Sequence, residues 1–147
     1  MVKLILVATM LILGVCLSQA AMDKEEILKK FMNEIKSCKD EIGASDSDME
    51  ELIKQVPASR MGGKCLRACL MKKYDVLDNN GKFVKSVAMK HAKEYIGSDA
   101  GKLKMIDEMI DACANITVPD DHCESAEVYG KCFVGQAKSR GIEKFKF

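Results

Sequence analysis

The chain has 147 residues, 48% of them hydrophobic and 31% charged, with 23 Lys+Arg against 22 Asp+Glu. That length suits one domain, and the balance excludes both a disordered chain and a nucleic-acid binder working through bulk positive charge. With no Trp, two Pro and 5% aromatic residues a sheet-rich sandwich fits poorly, and seven Cys is a high count for this size.

The first twenty residues read as a secretory signal peptide. Lys3 supplies a positive start, Leu4 to Leu17 form an apolar run interrupted by Thr9 and Gly14, and Ser18-Gln19-Ala20 offers small residues for cleavage. The run is shorter than the ~20 apolar residues of a membrane span. Removing residues 1–20 discards Cys16 and Lys3, leaving a single domain over 21–147 with six Cys. In an oxidising compartment six Cys read as three disulfides, with a reduced metal site as the rival. No metal or cofactor is expected.

Apolar residues then recur at helical spacing nearly throughout. Ile27, Leu28, Phe31, Ile35, Cys38 and Ile42 share one face of a first helix that opens near Asp23 and ends at Gly43. Ser47 with Glu50 suggests a capping box for a second helix, carrying Leu52, Ile53 and Val56 until Pro57 stops it. Cys65, Leu66, Cys69, Leu70 and Met71 mark a third helix, and Asp78-Asn79-Asn80-Gly81 reads as a turn. The fourth helix places Val84, Val87, Ala88, His91 and Tyr95 on one stripe. Gly97 then reads as its stop and Ser98 as the cap of a fifth helix. That helix runs from about Asp99 to Asn115 with Leu103, Ile106, Met109, Ile110 and Cys113 inward, and Asp121 with Glu124 opens a sixth carrying Tyr129, Cys132, Phe133 and Ala137. The expected fold class is all-α, a compact bundle of about six helices.

Cys65 and Cys69 are four apart and share a helix face, from which each can reach a different neighbour. Six Cys allow fifteen pairings, and spacing alone chooses none of them. The pattern Cys38-x26-Cys65-x3-Cys69-x43-Cys113-x9-Cys123-x8-Cys132 resembles the six-cysteine signature of the insect odorant-binding proteins. The x3 and x8 spacings are the diagnostic ones, Asp121-x-Cys123-Glu124-x-Ala126 resembles the final-helix motif, and the x43 gap is at the long end. The resemblance covers essentially the whole of 21–147. It implies interlocked bridges Cys38–Cys69, Cys65–Cys123 and Cys113–Cys132. Each closure contributes roughly 3–4 kcal/mol in the chain-entropy model.

Such staples let helices surround an apolar cavity, and the resemblance implies that use: a secreted, non-covalent carrier of small hydrophobic ligands such as odorants or pheromone-like volatiles. It implies a pocket where the first, fourth, fifth and sixth helices converge, with the third closing one end. On that placement the candidate wall residues are Leu52, Leu70, Val84, Val87, His91, Tyr95, Met105, Met109, Phe133 and Phe145. Tyr95 is the candidate hydrogen-bonding partner for a ligand oxygen. Eight Met (Met22, Met32, Met49, Met61, Met71, Met89, Met105 and Met109) would adapt to varied guest shapes. Residues 139–147 form a candidate C-terminal lid, and His91 a candidate pH-sensitive group on the apolar stripe.

No enzyme signature is present: there is no G-x-S-x-G, H-E-x-x-H or P-loop. A calcium loop centred on Gly81 would put Val76 first and Val87 twelfth, where carboxylates are required. Asn115-Ile116-Thr117 fits the N-glycosylation pattern. The implied setting is extracellular (sensillar lymph or a similar fluid), with a membrane odorant receptor as a further partner, no nucleic acid, no stable membrane insertion, and a monomer or weak homodimer. The alternatives are a non-olfactory carrier of lipids or semiochemicals in gland or reproductive fluid, and a secreted interaction protein with a fully packed core.

Overall fold

A computed structural model describes residues 24–142. The expected leader over 1–20 and the end of the tail, Phe145 included, lie outside the described residues. Among the described residues there are six helices: α1 (Lys24–Ile42), α2 (Asp46–Ile53), α3 (Met61–Lys73), α4 (Lys85–Ile96), α5 (Ala100–Ala114) and α6 (His122–Ser139). The all-α expectation holds, and extended pairing among the described residues is confined to an isolated bridge between Leu77 and Phe83 around the Asp78–Gly81 turn. In that turn Asp78 Oδ1 accepts the Asn80 and Lys82 amides, each at 2.8 Å.

Local chemistry sets the helix ends. Gly43 stops α1 at φ +68°, a left-handed conformation that suits glycine. Helix α2 starts two residues earlier than its sequence suggests. Ser45, rather than Ser47, is the cap: its hydroxyl accepts the Asp48 amide at 3.2 Å, and Asp48 accepts the Ser45 amide at 2.8 Å. The earlier start wins because it also brings Asp48, 3% exposed, to the Arg60 guanidinium at 3.2 Å. The same helix ends before Val56. Gln55 turns left-handed (φ +56°) and the Val56 amide closes back on the Glu51 carbonyl at 3.1 Å, so the chain has already left the helix when it reaches Pro57. Asp99, not Ser98, caps α5, through the Lys102 amide at 3.1 Å. Asp121 caps α6 as expected.

Helix α3 is the hub. It packs against α1, α2 and α6, while α5 packs against α4 and α6. A Cβ on Gly62 would lie 2.8 Å from Asp48 Oδ2, so the first turn of α3 approaches α2 more closely than a side chain allows. The disulfides are Cys38–Cys69 (α1 to α3), Cys65–Cys123 (α3 to α6) and Cys113–Cys132 (α5 to α6), the pairing that the six-cysteine resemblance implies. Two buried clusters result. One holds Ile35, Cys38, Ala44, Leu66 and Leu70; the other holds Ala68, Leu77, Val118, Ala126 and Tyr129.

Candidate functional site

The apolar faces of the helices do not close on one another completely. Between the two clusters lies a cavity of about 1330 Å³, bordered by Phe31, Leu52, Leu70 and Tyr74 from the first and Phe83, Ala126 and Phe133 from the second. A dry, sealed void of that size would cost on the order of 30 kcal/mol at ~24 cal/mol per Å³, more than the ~5–15 kcal/mol net stability of a domain. The space must therefore communicate with solvent or hold a guest. Its rim agrees: Ile53, Val56 and Tyr95 border the cavity and are 40%, 43% and 48% exposed. The fully packed interior considered as an alternative does not describe this molecule.

Its walls are unevenly distributed. Helix α1 contributes Ile27, Leu28, Phe31, Met32 and Ile35, and α6 contributes Ala126, Gly130, Phe133 and Val134. Helix α2 and the segment after it supply Leu52, Ile53, Gln55, Val56 and Pro57. Aromatic contacts brace the lining: Phe83 lies 5.2 Å from Phe133 and 5.5 Å from Tyr129, and Phe31 lies 6.1 Å from Tyr74. Tyr74 meets His91 edge-on at 5.6 Å. Burial and the nearby Glu34 carboxylate push the Tyr74 hydroxyl up from its usual pKa, keeping it neutral.

Of the ten wall residues expected from sequence, Leu52, Leu70, His91, Tyr95 and Phe133 border this cavity. Val84, Val87, Met105 and Met109 do not. Val84 sits just before α4, its amide bonded to the Val76 carbonyl at 2.9 Å. Met109 is 3% exposed, buried on the helix that packs against α4 and α6. Helix α5 as a whole supplies no lining residue, which corrects its expected place in the wall. Its buried face (Met109, Ile110, Cys113) is committed to its neighbours and to the Cys113–Cys132 bridge. His91 is tied into the scaffold: Nε2–H donates to the Tyr74 carbonyl at 2.9 Å, and Nδ1 lies 3.3 Å from Glu94.

Sequence reasoning missed the buried ion pair in the lining. Arg67 and Glu127 are 9% and 2% exposed, border the cavity, and pair across α3 and α6 with Nε and Oε2 at 3.4 Å. A charged residue between Cys65 and Cys69 carries no sequence mark of burial. Phe31 and Ile35 did carry one, since they lie on the apolar face of α1, but that face gave no sign of which residues meet a void. Asn115, the C-cap of α5, and Thr117 are both exposed.

A model of the PBP/GOBP family matches residues 20–136. The chain belongs to that family. It is 49% identical over 138 residues to general odorant-binding protein 28a of Drosophila melanogaster, covering 94% of this chain and 96% of that one. A solved odorant-binding protein structure from the same fly superposes with a TM-score of 0.72 at 52% identity, covering 82% of this chain and 99% of the other. Odorant-binding protein 7 of Anopheles gambiae, solved with four disulfide bridges and in complex with an azo compound, gives 0.61 at 26% identity over 78% and 88%. As a PBP/GOBP protein the chain is a small-molecule carrier by family, and the family is one of carriers, not enzymes. Proteins of this family are typically secreted, and no helix among the described residues is long and apolar enough to cross a membrane.

Proposed function

We propose that the cavity between the two clusters is the ligand chamber, and that the protein carries small hydrophobic molecules, odorants or pheromone-like volatiles, through an extracellular fluid to membrane odorant receptors. The observation that carries this reading is an apolar, solvent-connected space of about 1330 Å³ inside a disulfide-stapled bundle. Apolar area leaving water contributes about 25 cal/mol per Å², and micromolar affinity requires only about −8 kcal/mol, so an odorant-sized guest needs no covalent bond to be held. Leu52, Leu70 and Phe133 serve as apolar wall, and Tyr95 on the rim offers its hydroxyl to a ligand oxygen. Secretion also makes Asn115 a glycan acceptor.

The test is displacement of N-phenyl-1-naphthylamine, an apolar fluorescent probe, from the disulfide-intact protein. One probe should bind per chain and be displaced stoichiometrically by apolar volatiles. Guest at 100 times its Kd should add about 2.7 kcal/mol to stability and raise the melting temperature by several degrees. No probe binding and no thermal shift across a panel of such volatiles would refute the chamber.

A further inference from the structure

The Arg67–Glu127 pair has more partners than an ion pair joining two helices needs. Helices α3 and α6 are already joined beside it by the Cys65–Cys123 disulfide and by Lys64 Nζ at 2.8 Å from Glu124 Oε1. A packed apolar pair would hold them as well, because desolvation offsets much of a buried ion pair's attraction. What an apolar pair lacks is directional bonding to backbone. Arg67 Nη2 donates to the Val56 carbonyl, and its Nη1 donates to the Gly63 carbonyl at 3.1 Å. Glu127 Oε1 accepts the Ala58 amide at 3.0 Å. Both charges therefore reach across to the connection between α2 and α3, whose far end is fastened by Ser59 donating its amide (3.0 Å) and hydroxyl (2.5 Å) to Glu51.

That connection is a cavity wall. Gln55, Val56 and Pro57 line the chamber, Val56 is 43% exposed at its rim, and no regular secondary structure holds these residues. We propose that Arg67 and Glu127 act as a latch, positioning residues that fasten the 55–59 segment as the movable wall through which ligand enters and leaves. The inference rests on the chamber reading above. It assigns the pair a kinetic role: the latch sets how often the wall opens, while the apolar lining sets how tightly the guest is held. Breaking it accelerates entry and exit together.

The experiment compares the disulfide-intact wild type with Arg67→Met/Glu127→Leu, which removes both charges without leaving one unpaired in the interior. A second variant, Glu51→Ala, releases the same segment from its Ser59 end and keeps every hydrogen bond of Arg67 and Glu127, removing only a carboxylate whose charge Arg67 also feels. Hydrogen exchange reads the Ala58 and Ser59 amides, and stopped-flow fluorescence reads association and dissociation of N-phenyl-1-naphthylamine. In the double variant the Ala58 amide should exchange at least about 10-fold faster while α3 and α6 amides keep their protection. Association and dissociation rates should both rise, and the association rate is the deciding readout, because these two substitutions also alter the lining and with it Kd. In Glu51→Ala, which lies outside the lining, Kd should change less than about 3-fold. Glu51→Ala should shift exchange at Ser59 and both rates in the same direction by a smaller factor. A purely structural role would weaken Kd or helix protection without raising the association rate, and that result overturns the latch. Unchanged rates despite a freed Ala58 amide overturn it too, as does an Ala58 amide that stays protected. If the wild type binds no probe, the chamber itself fails and the gating role falls with it, whereas the exchange data still report whether the pair holds the segment.

Discussion

Tyr129 heads the fully buried side chains, at 1% exposed, and its hydroxyl accepts the Phe83 amide at 3.3 Å. With the Leu77–Phe83 bridge, this bond helps to fix the aromatic residue that faces Phe133 in the chamber wall. Tyr129→Phe keeps the ring and deletes the acceptor, so it should cost about 1 kcal/mol, read as a lower urea midpoint at unchanged m-value. Asp48 makes a pH-dependent contribution. Its carboxyl is held below the usual carboxylate range, chiefly by the Ser45 amide and hydroxyl, with the Arg60 charge adding to them. A folded value below the unfolded one means that this stabilisation is complete at neutral pH. It is lost as pH falls below about 4 and through the folded value. Asp48→Asn should therefore lower stability at pH 7 and flatten the decline below about pH 4 in acid titrations followed by circular dichroism. A decline as steep as the wild type's would assign acid sensitivity to other groups.

Among the elements, α5 and α6 differ in what they do for the chamber although both carry apolar stripes and bridged cysteines. Helix α5 is a buttress, fastened to α6 by Cys113–Cys132 and absent from the lining. Replacing both of these cysteines by Ser should cost roughly 3 kcal/mol by loop-closure entropy over 19 residues. Because the lining is left in place, probe affinity at temperatures below the lowered melting point should change little; a large loss of binding would show that α5 shapes the wall indirectly. This division was only partly legible beforehand. Periodicity located all six helices and most of their inward-facing residues, because burial imposes a 3.6-residue pattern whatever the neighbour is, although Ile53, Val56 and Tyr95 from the expected stripes end exposed at the rim. It could not say whether an inward face meets another helix or a void, which is why Met109 reads like Leu70 in sequence and differs from it in space. The Asp121 cap was legible, whereas caps were misread where Ser45 competes with Ser47 and Asp99 with Ser98; at Ser45 a tertiary contact, Arg60 to Asp48, decided between equal local options. The Arg67–Glu127 pair was illegible because a buried charge is specified by partners more than ten or fifty residues away, the Val56 carbonyl for one and Arg67 for the other.

At the scale of the whole molecule, the bridges span residues 38–69, 65–123 and 113–132, and each span overlaps the next. Every peptide bond from residue 38 to residue 132 thus lies inside at least one covalently closed circuit. A single cleavage in any of the helix connections along that stretch cannot release a fragment. Trypsin-nicked protein should migrate as one species without reductant and fall into pieces only after reduction; separation before reduction would mean that the circuits are incomplete. For a carrier, such a topology makes the first proteolytic cut a wound the molecule survives intact, with its lining helices still tethered and its cargo space still assembled.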